Sequence, residues 1–97
     1  MKIFISQPMG GKSHEEIDSE RQRVIQYLKD TYGETTEVLD TNLYFPHKGP
    51  LYYLAKSLEY LDQADIAYFM KDWENYRGCF IEHECCKHYN IPVIYET

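Results

Sequence analysis

Apolar residues recur along this chain in two alternating patterns, short continuous runs and stripes at helical spacing. The runs at residues 3–5, 66–70 and 91–95 are rich in β-branched and aromatic side chains, which is typical of strands buried on both faces. Residues 37–40 are a shorter candidate of the same kind. The pattern therefore predicts four buried strands.

Helical spacing of apolar residues appears between these runs. The stripe of the first predicted helix consists of Ile17, Val24, Ile25, Leu28 and Tyr32. That of the second consists of Leu51, Leu54, Ala55, Leu58 and Leu61. Ser13 and Glu16 match a capping box at the start of the first helix, and Gly33 is suited to end it. A third helix is predicted over residues 79–89, stopped by Asn90.

Strands and helices thus alternate in the order β-α-β-α-β-α-β. This order predicts an α/β fold: a single three-layer domain over residues 1–97, with about four parallel strands, right-handed crossovers and helices on both faces, of the Rossmann or flavodoxin-like kind. Ligands of such sheets bind beyond the carboxyl ends of the strands. The loops there, residues 6–12, 40–50 and 70–79, contain most of the residues that suggest chemistry.

Composition narrows the class of partner. A chain of 97 residues has room for one core. Its net charge of −6 argues against a duplex nucleic-acid binder. No apolar run approaches a membrane span and no secretory signal is apparent, so we expect a cytoplasmic protein. Three cysteines, two of them adjacent, do not suit a disulfide framework.

The loop after the first strand reads Ser-Gln-Pro-Met-Gly-Gly-Lys over residues 6–12. Gly10 and Gly11 allow close approach of the backbone to a ligand, and the following helix start offers N–H groups. Lys12 adds a positive charge, so the loop predicts a phosphate site. The alternative is a tight turn into a capped helix, because the spacing of a P-loop is missing.

Residues 83–88, His-Glu-Cys-Cys-Lys-His, resemble a metal-binding segment only superficially. The two histidines are five residues apart, so on a helix they point in different directions. Glu84 and His88 supply only two ligands, which do not close a structural zinc site. We therefore predict no metal and no other cofactor, and an exposed acid–histidine pair instead.

Two groups near the start of the third predicted helix are candidates for reactivity. Cys79 lies close to a helix N-terminus, which lowers the pKa of a thiol, so a nucleophilic thiol stands beside the alternative of plain packing. Glu82 is predicted in the first helical turn. A carboxylate there can be a nucleophile, a partner of ribose hydroxyls, or only a complement to the helix dipole.

Six aromatic residues cluster in or beside two of the loops. They are Tyr44, Phe45, Tyr52, Tyr53, Trp73 and Tyr76. Aromatic walls suit a planar ligand such as a nucleobase. The alternatives are a hydrophobic cover over the sheet and an oligomer interface.

Three segments, taken in order, match the pattern of a known family. They are the first strand with residues 6–11, the helix-to-strand segment at residues 57–65, and the stretch from Trp73 through Gly78 and Glu82 to residues 91–93. The chain resembles the nucleoside 2-deoxyribosyltransferase-like superfamily. It is especially similar to the short DUF4406-type branch, which is common in phages and Gram-positive bacteria. The resemblance spans nearly the whole chain.

The resemblance implies a nucleotide-type ligand in a pocket at the strand ends. In active relatives the glutamate of G-x-x-x-E attacks the sugar C1′ and displaces the base, and Glu82 occupies that position. An aspartate and a first-strand tyrosine assist it in the family. This chain carries Ser57 at the first of these positions and Ile3 or Phe4 at the second. Serine cannot replace aspartate as a general acid or base at neutral pH.

Two functions follow from these features, with an interaction domain as a third. The first is nucleotide or nucleotide-sugar binding with cleavage or transfer at the N-glycosidic bond by Glu82. The second is a non-catalytic phage protein that sequesters an ADP-ribose-like or cyclic nucleotide signal in the host cytoplasm. The resemblance also implies a homo-oligomer. The expected ligand-binding residues are Ser6, Gln7, Pro8, Met9, Gly10, Gly11, Lys12, Ser57, Trp73, Asn75, Arg77, Gly78 and Cys79.

Overall fold

Strands and helices alternate along the chain in the computed structural model, which describes residues 1–41 and 44–97. The strands are β1 (Lys2–Ser6), β2 (Glu37–Val38), β3 (Ile66–Phe69) and β4 (Val93–Tyr95), and the helices are α1 (His14–Tyr32), α2 (Pro50–Leu61) and α3 (Arg77–Tyr89). A short 3-10 turn, Trp73–Asn75, precedes α3. The α/β fold with a four-stranded parallel sheet is confirmed.

All strand pairs in the sheet are parallel, and the order is β2-β1-β3-β4. The chain leaves β1 toward β2 on one side, and β3 lies on the other side. This arrangement creates a switch point at the carboxyl end of β1, where crevices form in open parallel sheets. The fold therefore directs attention to the loops that follow β1 and β3.

The core has two halves because side chains alternate across β1. Ile3 and Ile5 pack with Val24 and Leu28 of α1 on one face. Phe4 packs on the other face in a cluster that includes Leu61 of α2 and Cys86 of α3. Strands buried on both faces explain the continuous apolar runs of the sequence.

Local capping signals mark the start of α1 and the ends of α1 and α3, as the sequence predicts. The Ser13 hydroxyl accepts a hydrogen bond from the Glu16 backbone N–H, and the Glu16 carboxylate accepts one from the Ser13 N–H, which completes the predicted capping box. Gly33 ends α1 with a φ of 104°, and Asn90 ends α3 with a φ of 60°. Both residues belong to types that adopt positive φ readily.

Several boundaries differ from the sequence prediction. Strand β4 begins at Val93 rather than at residue 91, and β3 ends at Phe69 rather than at residue 70. Helix α3 begins at Arg77 rather than at residue 79, because Tyr76 already has an extended N-cap conformation and its carbonyl accepts from the Phe80 N–H. Strand β2 ends at Val38, although the Leu39 N–H still donates to the Ile3 carbonyl. The predicted loop at residues 41–50 gives way to α2 at Pro50, and its residues 42–43 lie outside the described residues.

Within the described residues, none of the helices combines the length and the apolar character that crossing a membrane requires.

Candidate functional site

A cavity of about 820 Å³ opens at the carboxyl end of β1. Its walls come from β1, the loop after it, α2 and the start of α3. The lining residues are Phe4, Ile5, Gln7, Met9, Gly10, Thr41, Pro50, Leu51, Tyr53, Leu54, Ser57, Tyr76, Arg77, Gly78, Cys79, Ile81 and Glu82. This volume lies within the range of small-molecule sites in proteins.

Glu82 is the buried carboxyl group of this cavity. Its side chain comes from α3, the residue is 7% exposed, and its Oε1 accepts a hydrogen bond of 2.7 Å from the Ser6 hydroxyl at the end of β1. Burial raises the pKa of Glu82 to about 7, because removal from water penalises the charged form, and hydrogen bonds from Ser6 and Ser57 oppose the rise. The carboxyl group is therefore populated in both protonation states near neutral pH.

The position of Glu82 corrects the sequence prediction. Because α3 begins at Arg77, Glu82 lies in the second helical turn, and the first turn contains no acidic residue. Complementing the helix dipole, which acts mainly within the first turn, is therefore not its role. The second turn instead directs the carboxyl group toward Ser6 and the interior of the fold.

Cys79 is buried beside the same serine. Burial raises the pKa of its thiol to about 11, while a hydrogen bond with Ser6 acts in the opposite direction. Desolvation therefore outweighs the helix N-terminus, from which the sequence predicted a lowered pKa. The thiol is neutral near pH 7, and this structure does not support a nucleophilic role for it.

The glycine loop forms part of the cavity wall, but its lysine, Lys12, does not line the cavity. Gln7, Met9 and Gly10 line the wall. The Lys12 ammonium instead contacts both carboxylate oxygens of Glu20 on α1 at 3.1 Å, and this hydrogen-bonded pairing raises the pKa of Lys12. Lys12 therefore stays charged and paired with Glu20 within the fold. The cation among the described lining residues is Arg77.

Two of the six predicted aromatic residues, Tyr53 and Tyr76, line the cavity. The Tyr53 hydroxyl accepts a hydrogen bond of 2.6 Å from the Phe45 N–H, which fastens the loop before α2 to that helix. Tyr76 lies across from Gly10, where a Cβ atom would come within 3.5 Å of its ring. A side chain at Gly10 would thus contact the aromatic wall.

Trp73 lies apart from this wall. Its indole stacks on the His83 ring at a centroid distance of 4.1 Å and on Tyr95 at 5.9 Å. His83 also shares a hydrogen bond of 2.6 Å with the Tyr95 hydroxyl. These contacts tie the 3-10 turn to α3 and β4, so they give Trp73 a packing role.

The structure brings most of the sequence-predicted site residues together. Those that line the cavity are Gln7, Met9, Gly10, Ser57, Arg77, Gly78, Cys79 and Glu82. Ser6 lies behind them, bonded to Glu82. The predicted residues outside the lining are Pro8, Gly11, Lys12, Trp73 and Asn75.

From α2, sequence reasoning proposed Ser57 and Tyr53 and missed Pro50, Leu51 and Leu54. Tyr53 and Leu54 lie one turn before Ser57 and share its side of the helix. Leu54 had been placed in the core stripe of that helix. Ser57 interrupts the apolar side of α2 one turn after Tyr53 and Leu54. A polar residue at such a position is the signal that could have indicated that this side of the helix faces a cavity.

The remaining polar residues of α3 include an acid–histidine pair on its outer face. Glu84 and His88 form the predicted exposed pair at 3.4 Å. Within residues 1–41 and 44–97, no three histidine, cysteine, aspartate or glutamate side chains are grouped to hold a metal ion.

A protein-family model described as "Domain of unknown function (DUF4406)" matches residues 1–95. No curated protein and no solved structure matches the chain. The matched residues include every strand and helix that builds the cavity.

Proposed function

We propose, from the premise that this chain belongs to the DUF4406 family, that it binds a nucleoside- or nucleotide-type small molecule in the cavity at the carboxyl end of β1. The observation that carries the proposal is a buried carboxyl group, Glu82, in the wall of a cavity of about 820 Å³. A buried carboxyl group costs folding stability unless it is paired or fully hydrogen-bonded. A carboxyl group retained in a cavity wall despite this cost is therefore a candidate for a functional role.

The composition of the walls supports this class of ligand. Tyr53 and Tyr76 offer aromatic surface to a planar base, while Glu82 offers hydrogen-bond acceptors to sugar hydroxyls. Arg77 offers a cation to a phosphate. The resemblance to the nucleoside 2-deoxyribosyltransferase-like superfamily supports the same class, and kinship with that superfamily is part of the proposal.

Binding without bond cleavage is the form of this function that the site favours. Cleavage by Glu82 would need an ionised nucleophile and a group that protonates the departing base. The pKa of Glu82, raised to about 7 by burial, leaves it ionised only in part at neutral pH. The described lining residues contain no second carboxyl group. Ser57 lies beside Glu82 at the position where the resemblance implies an aspartate.

A second candidate is cleavage or transfer at the N-glycosidic bond. The specific observation in its favour is that Glu82 lines the cavity while hydrogen bonds from Ser6 and Ser57 orient its carboxyl group. This candidate requires the ligand itself or water to supply the proton for the base.

The test is mass spectrometry of small molecules that co-purify with the wild-type protein, with Glu82→Gln and with Glu84→Gln, which removes an exposed carboxylate of the same helix. Thermal-shift and base-release measurements follow, with a panel of nucleosides, nucleotides and ADP-ribose. We expect intact nucleotide-type molecules with the wild type and Glu84→Gln, and a much smaller amount with Glu82→Gln, because that variant loses the acceptor of the sugar hydroxyls.

Release of free base by the wild type would replace the binder with the second candidate. Absence of any co-purified molecule, together with no shift from any member of the panel, would overturn nucleotide binding itself.

A further inference from the structure

Glu82 has hydrogen-bonding capacity beyond what its described neighbours use. An ionised carboxylate accepts about four hydrogen bonds. The described partners are two hydroxyl groups, Ser6 at 2.7 Å and Ser57. The carboxyl group also lines the cavity, so further donors can reach it only from a molecule in that cavity or from water.

Among residues 1–41 and 44–97, no charged side chain forms an ion pair with the buried carboxylate. The elements packed around it present Ser6 from the end of β1, Gln7 from the loop after it, Tyr53 and Ser57 from α2, Tyr76 from the turn before α3, and Arg77, Cys79 and Cys86 from α3. Burial and the two serines account for the shift in the pKa of Glu82, with no contribution from Arg77. The thiols of Cys79 and Cys86, with pKa values raised to about 11 by burial, are neutral between pH 6 and 8.

The kind of ligand that suits such a group is a donor of two neighbouring hydrogen bonds. A vicinal diol donates both of its O–H groups to the oxygens of one carboxylate. A 2-deoxyribose offers one hydroxyl fewer at that edge, and a phosphate offers acceptors and negative charge, which an ionised carboxylate repels.

We infer that Glu82 recognises a ribose ring with free 2′- and 3′-hydroxyls, and that binding this diol releases the carboxyl proton to solvent. The inference rests on the proposed function and specifies its ligand as a ribonucleoside or ribonucleotide rather than the 2-deoxy form. The bonds to the sugar remain intact. The proton leaves because two donated hydrogen bonds stabilise the ionised carboxylate, which burial alone disfavours.

Proton release makes the affinity depend on pH with a defined sign. Below the pKa of about 7, the carboxyl group of the ligand-free protein is mostly protonated, so binding must first remove its proton. Above it, the carboxylate is ready to accept. We therefore expect the affinity for the diol to rise by about tenfold between pH 6 and 8 and then to level off.

The test is isothermal titration calorimetry with the four ribonucleoside 5′-monophosphates and their 2′-deoxy counterparts, at pH 6, 7 and 8 and in two buffers of different ionisation enthalpy. For the preferred base, we expect the ribo form to bind roughly 10- to 100-fold more tightly than the deoxy form, the loss of one hydrogen bond to a charged group. Proton release at pH 7 should appear as a buffer-dependent heat.

Two variants locate the effect. Glu82→Gln should bind ribo and deoxy forms equally and more weakly than the wild type, and should keep only the pH dependence that comes from the nucleotide phosphate, whereas Glu84→Gln should behave as the wild type. Circular dichroism of each variant verifies that it is folded. If ribo and deoxy forms bound the wild type equally, or without proton release, the diol inference would be overturned and the proposed function would stand. If none of the eight probes bound, the diol inference would be overturned, and the proposed function would fail with it only if no molecule co-purified and no member of the wider panel bound.

Discussion

At the scale of single residues, the chemistry of this protein depends on how burial competes with local effects. A cysteine near a helix start and a glutamate close behind it suggest a lowered thiol pKa and an ordinary ionised acid. In the fold both groups are covered, and desolvation raises the pKa of Cys79 to about 11 and that of Glu82 to about 7. Burial reverses the local expectation because the free-energy cost of removing a charge from water exceeds its favourable interaction with the helix dipole.

The shift of Glu82 predicts how stability depends on pH. Its pKa is raised from 4.5 to about 7 on folding, so the folded state holds this proton more tightly than the unfolded state. The stability it contributes is present below pH 4.5 and is lost as the pH rises through 7, an effect of about 3 kcal/mol for a group this deeply buried. Glu82→Gln lacks this loss, so it should exceed the wild type in stability at pH 8 and match it at pH 4.5.

Urea unfolding at the two pH values measures the difference. Glu84→Gln is the matched control, because it removes an exposed carboxylate from the same helix. Other carboxylates, such as Glu96 with its lowered pKa, act with the opposite sign in all three proteins and cancel in the comparison. Parallel pH profiles for the wild type and Glu82→Gln would show that burial does not raise this pKa.

At the scale of elements, α1 carries one whole side of the domain. It supplies Val24 and Leu28 to the core half above β1 and β3. Its buried Arg21 also donates a hydrogen bond of 2.9 Å to the Leu39 carbonyl just after β2. Helix α1 covers one face of the sheet alone, whereas α2 and α3 share the other face. The capping of α1 should therefore matter for the stability of the fold.

The N-cap of α1 gives a prediction for this element. Ser13→Ala removes one half of the capping box and leaves the Glu16 N–H without its described partner. We expect a loss of about 1 kcal/mol of unfolding free energy. Ser19→Ala, an exposed change in the middle of the same helix, is the control and should alter stability little. A loss no larger for Ser13→Ala than for Ser19→Ala would show that the cap does not contribute.

At the scale of the whole molecule, several large apolar side chains remain on the surface. The most exposed are Leu51 at 80%, Tyr89 at 78% and Tyr44 at 74%. Leu51 also lines the cavity, so the apolar surface continues from the rim into the proposed site. Exposed apolar patches of this kind are typical of interaction sites, and the homo-oligomer that the resemblance implies stays a prediction.

Self-association through the rim is testable by light scattering after gel filtration. We expect a mass of at least two chains of 11.6 kDa for the wild type. Leu51→Lys should lower the mass at a given concentration, whereas Tyr89→Lys, on the far end of α3, should not. A wild type that stayed monomeric at high concentration would remove the oligomer from the proposal.

Much of the fold follows from local patterns. The capping box at Ser13, the stop signals at Gly33 and Asn90, and the alternation of strand and helix all appear in the structure. One misplaced boundary was the start of α3. There Gly78 and the aromatic loop before it concealed a helix start that depends on the extended conformation of Tyr76.

The membership of the site was harder to read than the elements. Glu82 and the glycine loop were expected in one region and do share the cavity. Lys12 and Trp73 were expected there as well, but each found a partner elsewhere, Glu20 and His83 respectively. Which neighbour a long side chain selects depends on distances across the fold, and residue type alone does not encode them.

The sequence by itself determined the periodicities, the caps and therefore the order of the layers, because these depend on residues a few positions apart. Only the tertiary structure decided that Ser6 donates to a carboxyl group 76 positions away and that Ser57 lies beside the same group. The physical reason is that the parallel sheet brings the end of β1 close to the first turns of α3, while α2 supplies Ser57 to the same carboxyl group. Burial at that junction, and not the local sequence, sets the charge of Glu82 and with it the chemistry proposed for the site.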